Sequence, residues 1–123
     1  MDMNEIIQVV QDKAVEIAEQ EIAKYNKDFP ELNLTEEAKD AVRVRATSQL
    51  TLQLSKFRFH KDDEEFKDHF NQWFNANEED DLRRACRHCL EDERDKIRHS
   101  SDKHLSALDT YLKKHLGDIH QID

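Results

Sequence analysis

One glycine and one proline in 123 residues constrain this chain more than any other feature. Tight hairpin turns mostly need Gly or Asn at positive φ, so a multi-stranded antiparallel sheet would have almost no turns to join its strands. Helices joined by short polar connections remain. The expected fold is all-α, a bundle of four to five helices. A single domain over residues 1–123 is expected, because this length falls in the common range for one compact core.

That core has to be thin. With 38% charged residues and a mean hydropathy of −0.98, it is expected as apolar stripes on otherwise polar helices. No run approaches the roughly 20 apolar residues that a bilayer span requires, so no membrane association is expected. The start, MDMNEIIQVVQDK, is acidic ahead of a short apolar patch and has no cleavage-like end, which places the expected protein in the cytoplasm. Two cysteines in such a chain read as free thiols and not as a disulfide scaffold.

From Met3 to about Tyr25, apolar residues at Ile6, Ile7, Val10, Ala14, Ile17, Ala18, Ile22 and Tyr25 recur at three and four, which predicts a helix with one broad buried face. Pro30 ends it, and Thr35 is placed to cap the next helix, with Glu36 and Glu37 in its first turn. The stretch Glu36 to His60 reads two ways. As a strand, Val42, Val44, Ala46, Leu50, Leu52 and Leu54 alternate with polar residues; as a helix, Ala38, Val42, Ala46, Leu50, Leu54 and Phe57 step by four and three. The cap at Thr35 and the lack of a partner strand favour the helix, and a strand over 42–59 stays open.

Phe66, Phe70, Trp73 and Phe74 share a third helical face, with Asp62 or Asp63 as its cap. After NANEEDD a long pattern follows through Leu82, Cys86, Cys89, Leu90 and Ile97. It resumes beyond HSSD as Leu105, Leu108, Leu112, Leu116 and Ile119, where Ser100 or Ser101 could cap a separate last helix.

The sequence CRHCLEDERDKIRHSSDKH contains a candidate metal set, Cys86, Cys89, His99 and His104. Tetrahedral zinc needs four ligand atoms within about 2.0–2.3 Å of one point. On a straight helix the ten residues from Cys89 to His99 rise about 15 Å, and LEDERDKIR has no Gly or Pro to turn the chain back. The better reading makes both cysteines small apolar side chains on the helix stripe, and no cofactor is expected. A dithiol redox centre resembling the thioredoxin-like oxidoreductases would share only the four residues CRHC, without the Gly-rich βαβ context of that fold. Paired carboxylates in KDDEEF and NEEDDL sit at helix starts in solvent, and neither phosphate-binding glycine pattern occurs, so no enzyme is expected.

Charge comes in blocks. The nets over 1–40, 41–60 and 61–81 are −7, +4 and −7 within a total of −9. Arg43, Arg45, Lys56 and Arg58, interleaved with Phe57 and Phe59, raise direct nucleic-acid binding, but the acidic blocks on either side weaken any long-range attraction to phosphate. The expected partner is instead a basic protein surface, one that itself binds nucleic acid. Glu16, Glu19 and Glu21 on the first helix, Asp62, Asp63, Glu64 and Glu65, and Glu78, Glu79, Asp80 and Asp81 would face its Lys and Arg in place of phosphates. Trp73 and Phe74 are candidate apolar anchors within that acidic rim, against the alternative that they fill the core. In size, charge and glycine scarcity the chain resembles the small acidic inhibitors that phages and mobile elements encode against host nucleases or CRISPR complexes, a likeness of composition alone. The other function class is a homo-oligomer, a dimer in the simplest case, formed through the last apolar stripe and the 42–59 segment; a zinc-binding or nucleic-acid-binding module ranks below both.

Overall fold

A computed structural model describes residues 2–60 and 62–98. Among them every regular element is helical, as the scarcity of turn residues requires. The chain groups into two units, 1–91 and 92–123. Helices α1 (Met3–Asp28), α2 (Glu36–Gln53) and α3 (Phe66–Asn77) lie in the first. A fourth helix, α4, is helical at every residue from 79 to 98. The last apolar stripe, Leu105 to Ile119, lies outside the described residues.

The cap predicted at Thr35 is present, and Asp2, which the sequence reading did not single out, caps α1. Asp2 accepts a hydrogen bond from the Glu5 backbone N–H at 2.9 Å, and Thr35 Oγ1 accepts from that of Ala38 at 3.1 Å. Each satisfies one of the donors that the first turn of a helix leaves without a partner. Helix α1 buries Ile6, Val10, Ala14, Ile17, Ala18, Ile22 and Tyr25 as its spacing requires, but also Glu21, while Ile7 stays 44% exposed. It packs along α2.

Helix α2 resolves the ambiguous segment. Ala38, Val42, Ala46 and Leu50 are buried at steps of four, and the other half of the alternating pattern, Val44 and Leu52, faces water. The helix nevertheless ends earlier than its sequence suggests. A single 3-10 turn, Leu54–Lys56, follows it, and Phe57 adopts an extended backbone. Phe57 then reaches across to α3, its ring centroid 5.8 Å from Phe66, 5.9 Å from Phe70 and 5.2 Å from Trp73, while Phe59 lies 4.9 Å from Phe66. Leaving the helix is what lets two successive outward aromatics join one cluster. Aromatic pairs at these separations contribute about 0.5–1.5 kcal/mol each beyond the area they bury.

The longest core feature runs through α3 into α4. Phe66, Phe70, Phe74, Glu78, Leu82, Cys86 and Leu90 are buried at every fourth position. Helical hydrogen bonds continue across the junction, from the Glu78 N–H to the Phe74 carbonyl and from the Leu82 N–H to the Glu78 carbonyl, both 2.9 Å. The buried stripe therefore continues through the turn at Glu78.

Candidate functional site

Seven of the eleven carboxylates singled out in the sequence pair with a Lys, Arg or His side chain, one more, Glu78, is buried, and three stand in water without an ion-pair partner among the described residues. Glu21 is the clearest departure. Only 5% exposed, it accepts from Arg83 at 3.3 Å, and Arg83 also reaches Glu79 at 3.0 Å and the Gln20 side-chain oxygen at 2.8 Å. This joins α1 to α4, so Glu21 is removed from the candidate surface; it is a structural carboxylate held by a paired cation. Burial works against the charge of Arg83, but its hydrogen bonds to Glu79 and Glu21 outweigh that cost and keep the guanidinium above its ordinary value.

Glu78 is likewise buried, 7% exposed, because it occupies the four-residue register between Phe74 and Leu82. It too leaves the candidate surface. Glu19 is bound by Arg43, which also holds Asp40, so the most acidic-facing cation of the basic segment is consumed inside the fold. Both partners hold the Arg43 guanidinium above its usual range. Glu16 pairs with Lys13 at 3.1 Å and Asp81 with Arg84 at 3.6 Å.

The turn before α3 carries a distinct arrangement. Asp63 accepts from the Glu65 backbone N–H at 3.0 Å and meets His69 Nδ1 at 2.9 Å, and Glu65 lies 3.4 Å from His69 Nε2. Neither Asp62 nor Asp63 caps α3 as expected: the N-cap is Glu65, without a side-chain capping bond, and Asp63 instead holds the turn that precedes it. The hydrogen bond to Asp63, then the charges of Asp63, Glu65 and Asp68, raise His69 above its ordinary 6.5. The same hydrogen bond lowers Asp63 below its ordinary 3.8. The histidine contribution is complete below pH 6.5 and is lost as pH rises through the raised value; the carboxylate contribution is complete above pH 3.8 and is lost as pH falls through the lowered one. The start of α3 is accordingly most secure in mildly acidic solution. Nuclear magnetic resonance should show His69 titrating above 6.5 in the parent and moving back towards that value in Asp63→Asn; a parent His69 midpoint at or below 6.5 would mean that the pair does not form.

Around this turn stand Asp62 and Glu64, exposed and without an ion pair among the described residues, and Asp80 has the same status on α4. Asp68, one turn into α3, joins them. Sequence reading missed it because it falls inside the helix and outside the two acidic runs, although its place in the first turn was visible.

The apolar anchors divide. Phe74 is 0% exposed, its ring 6.3 Å from that of Phe70, and so belongs to the core and cannot serve as an anchor. Trp73 is half-buried, packed on Phe57 and 5.8 Å from Phe70. Phe57 and Phe59, the rings that would have stacked on bases, are spent in the same cluster.

Of the metal set, His99 and His104 lie outside the described residues. Among the described residues no group of three or more His, Cys, Asp or Glu is arranged to hold an ion, and 86–98 is helical throughout, with no reversal. Cys86 is fully buried, and burial, followed by the charge of Glu21, pushes its thiol up to about 11. A thiol so raised carries little thiolate at neutral pH. Cys86 should therefore resist alkylation in the native protein, with or without chelator, and react fully only after denaturation; rapid native alkylation at Cys86, read by peptide mass mapping, would show the opposite. A groove of about 160 Å³ between α1 and α3 is lined by Val9, Asp12, Lys13, Glu16, Lys67 and Asn71, charges of both signs without a nucleophile.

Comparison with protein-family models, curated proteins and solved structures returned no match. No helix among the described residues is long and apolar enough to cross a membrane.

Proposed function

We propose that this chain is a non-enzymatic interaction protein whose acidic outer surface docks on a basic surface of another protein, one that otherwise holds nucleic acid. The observation that carries this reading is the turn into α3, where Asp62, Glu64 and Asp68 are exposed within seven residues and make no ion pair among the described residues. Carboxylates already matched by a neighbouring cation have little to offer a partner, whereas Asp62 and Glu64 have no cation within ion-pair distance among the described residues and Asp68 acts on His69 only from beyond that distance. The total charge of −9 extends that field beyond the immediate contact. Inhibition of a host nuclease or CRISPR complex is the setting in which such a surface would act, since a rigid array of carboxylates can stand where phosphates would lie.

Capture of nucleic-acid-binding proteins from a cell extract on the immobilised chain tests the reading. Bound proteins should be displaced by duplex DNA, and the triple variant Asp62→Asn, Glu64→Gln, Asp68→Asn should capture several-fold less. Capture indifferent to both DNA and the three substitutions would refute it.

A further inference from the structure

The outer face of α2 differs from the rest of this highly charged surface. Ala41, Val44, Ser48 and Leu52 on the helix and Ser55 in the 3-10 turn after it follow one another at spacings of three, four, four and three and are uncharged, with the exposed Arg45 at their edge. Val44 is 64% and Leu52 72% exposed, and Ser48 and Ser55 are exposed beside them. The stripe is also less polar than its letters suggest. The hydroxyl of Ser55 in the stripe and that of Thr51 beside it are donated to the carbonyls of Leu52 and Thr47 at 3.2 and 2.7 Å, so neither needs a partner from outside.

The spacing is symmetric about Ser48, with apolar Val44 and Leu52 at equal distances on either side. We propose that a second copy of this chain docks on this face, with the two α2 helices antiparallel about a two-fold axis at Ser48. In that register Val44 of one copy meets Leu52 of the other, Ala41 meets Ser55, and the small side chain of Ser48 lies at the crossing point, where helices approach most closely. Charge at the two ends agrees. Glu37, exposed in the first turn, has no ion pair among the described residues, and neither do Lys56 and Arg58 beyond the other end. The antiparallel arrangement brings Glu37 of each copy to the Lys56 and Arg58 end of its mate, whereas a parallel one would set like charge against like.

Eighteen residues of helix span about 27 Å, so one such pair falls at the low end of specific interfaces. A reversible dimer follows, populated at micromolar concentrations and above. This inference stands apart from the acidic docking surface, which involves the turn before α3.

Sedimentation velocity on the full chain, from micromolar to near-millimolar, tests it. The parent should shift from 14.7 kDa towards twice that mass, and Leu52→Asp should stay monomeric with unchanged helical circular dichroism. Register is read by oxidation, with the parent as baseline. Ser48→Cys should link to itself, while Ala41→Cys and Ser55→Cys should link only when the two variants are mixed. A parent that stays monomeric throughout would overturn the proposal, whether position 52 is then open to labelling or shielded within one chain or by another protein. Dimerisation indifferent to Leu52→Asp, or self-linking of Ala41→Cys, would overturn it equally.

Discussion

Replacing Phe70 by alanine should cost about 3–5 kcal/mol, the range for removing a large ring from a packed core. Phe70 is 0% exposed and touches four other aromatic rings, Phe57 and Phe66 at 5.9 Å, Trp73 at 5.8 Å and Phe74 at 6.3 Å between centroids. No neighbour can close over the gap without abandoning its own contacts. A domain of this size has about 5–15 kcal/mol of stability in all, so the variant should lie close to its unfolding transition at room temperature. Trp73, the single tryptophan, sits beside the altered position and reports the transition by fluorescence during urea titration. At concentrations low enough to keep the chain monomeric, Leu52→Ala, at a 72% exposed position, should move the midpoint by less than about 0.5 kcal/mol. Comparable losses at the two positions would mean that the aromatic cluster is not the centre of the core.

The second large effect concerns a charge. Arg83→Met should destabilise by about 3 kcal/mol, the lower end of the range for breaking a buried pair, because Glu21 keeps its carboxylate while only 6% of its side chain reaches water. The lower end applies since 27% of the Arg83 side chain is itself solvated. Removing both partners should hurt far less. The double variant Glu21→Leu, Arg83→Met replaces the pair by apolar groups of similar volume, and such replacements are often neutral. Urea unfolding of the parent, both single variants and the double variant gives the coupling directly. A single-variant cost under about 0.5 kcal/mol would place Glu21 in water and void the account of how α1 is held to α4.

These two sites also mark where sequence reading succeeds and where it stops. The core stripes of α1 and α2 were visible because each is periodic over four or more turns, and the Thr35 cap because it precedes two acidic residues directly. The departure of the chain at Leu54 was not. Nothing in LSKFRF breaks a helix by local preference; the gain comes from placing Phe57 and Phe59 on rings that are distant in sequence. Glu21 and Glu78 stand on buried stripes, in register with Ile17 and Tyr25 and with Phe74 and Leu82 respectively. Their letters argued for solvent, and for Glu21 the compensating cation lies 62 residues away, beyond any local pattern. Of the candidate surface, the acidic runs were evident in the sequence. Which of their members remain unmatched depended on i,i+3 and tertiary cations that only the fold brings into place.

The most direct test of the electrostatic reading is the affinity between the chain and a nucleic-acid-binding protein recovered by the capture experiment, measured as a function of salt. Docking through exposed carboxylates predicts that affinity falls steeply from about 50 to 500 mM salt, as the Debye length shrinks below the separation of the charges. An affinity that holds constant over that range would contradict it, and would assign recognition to apolar contact.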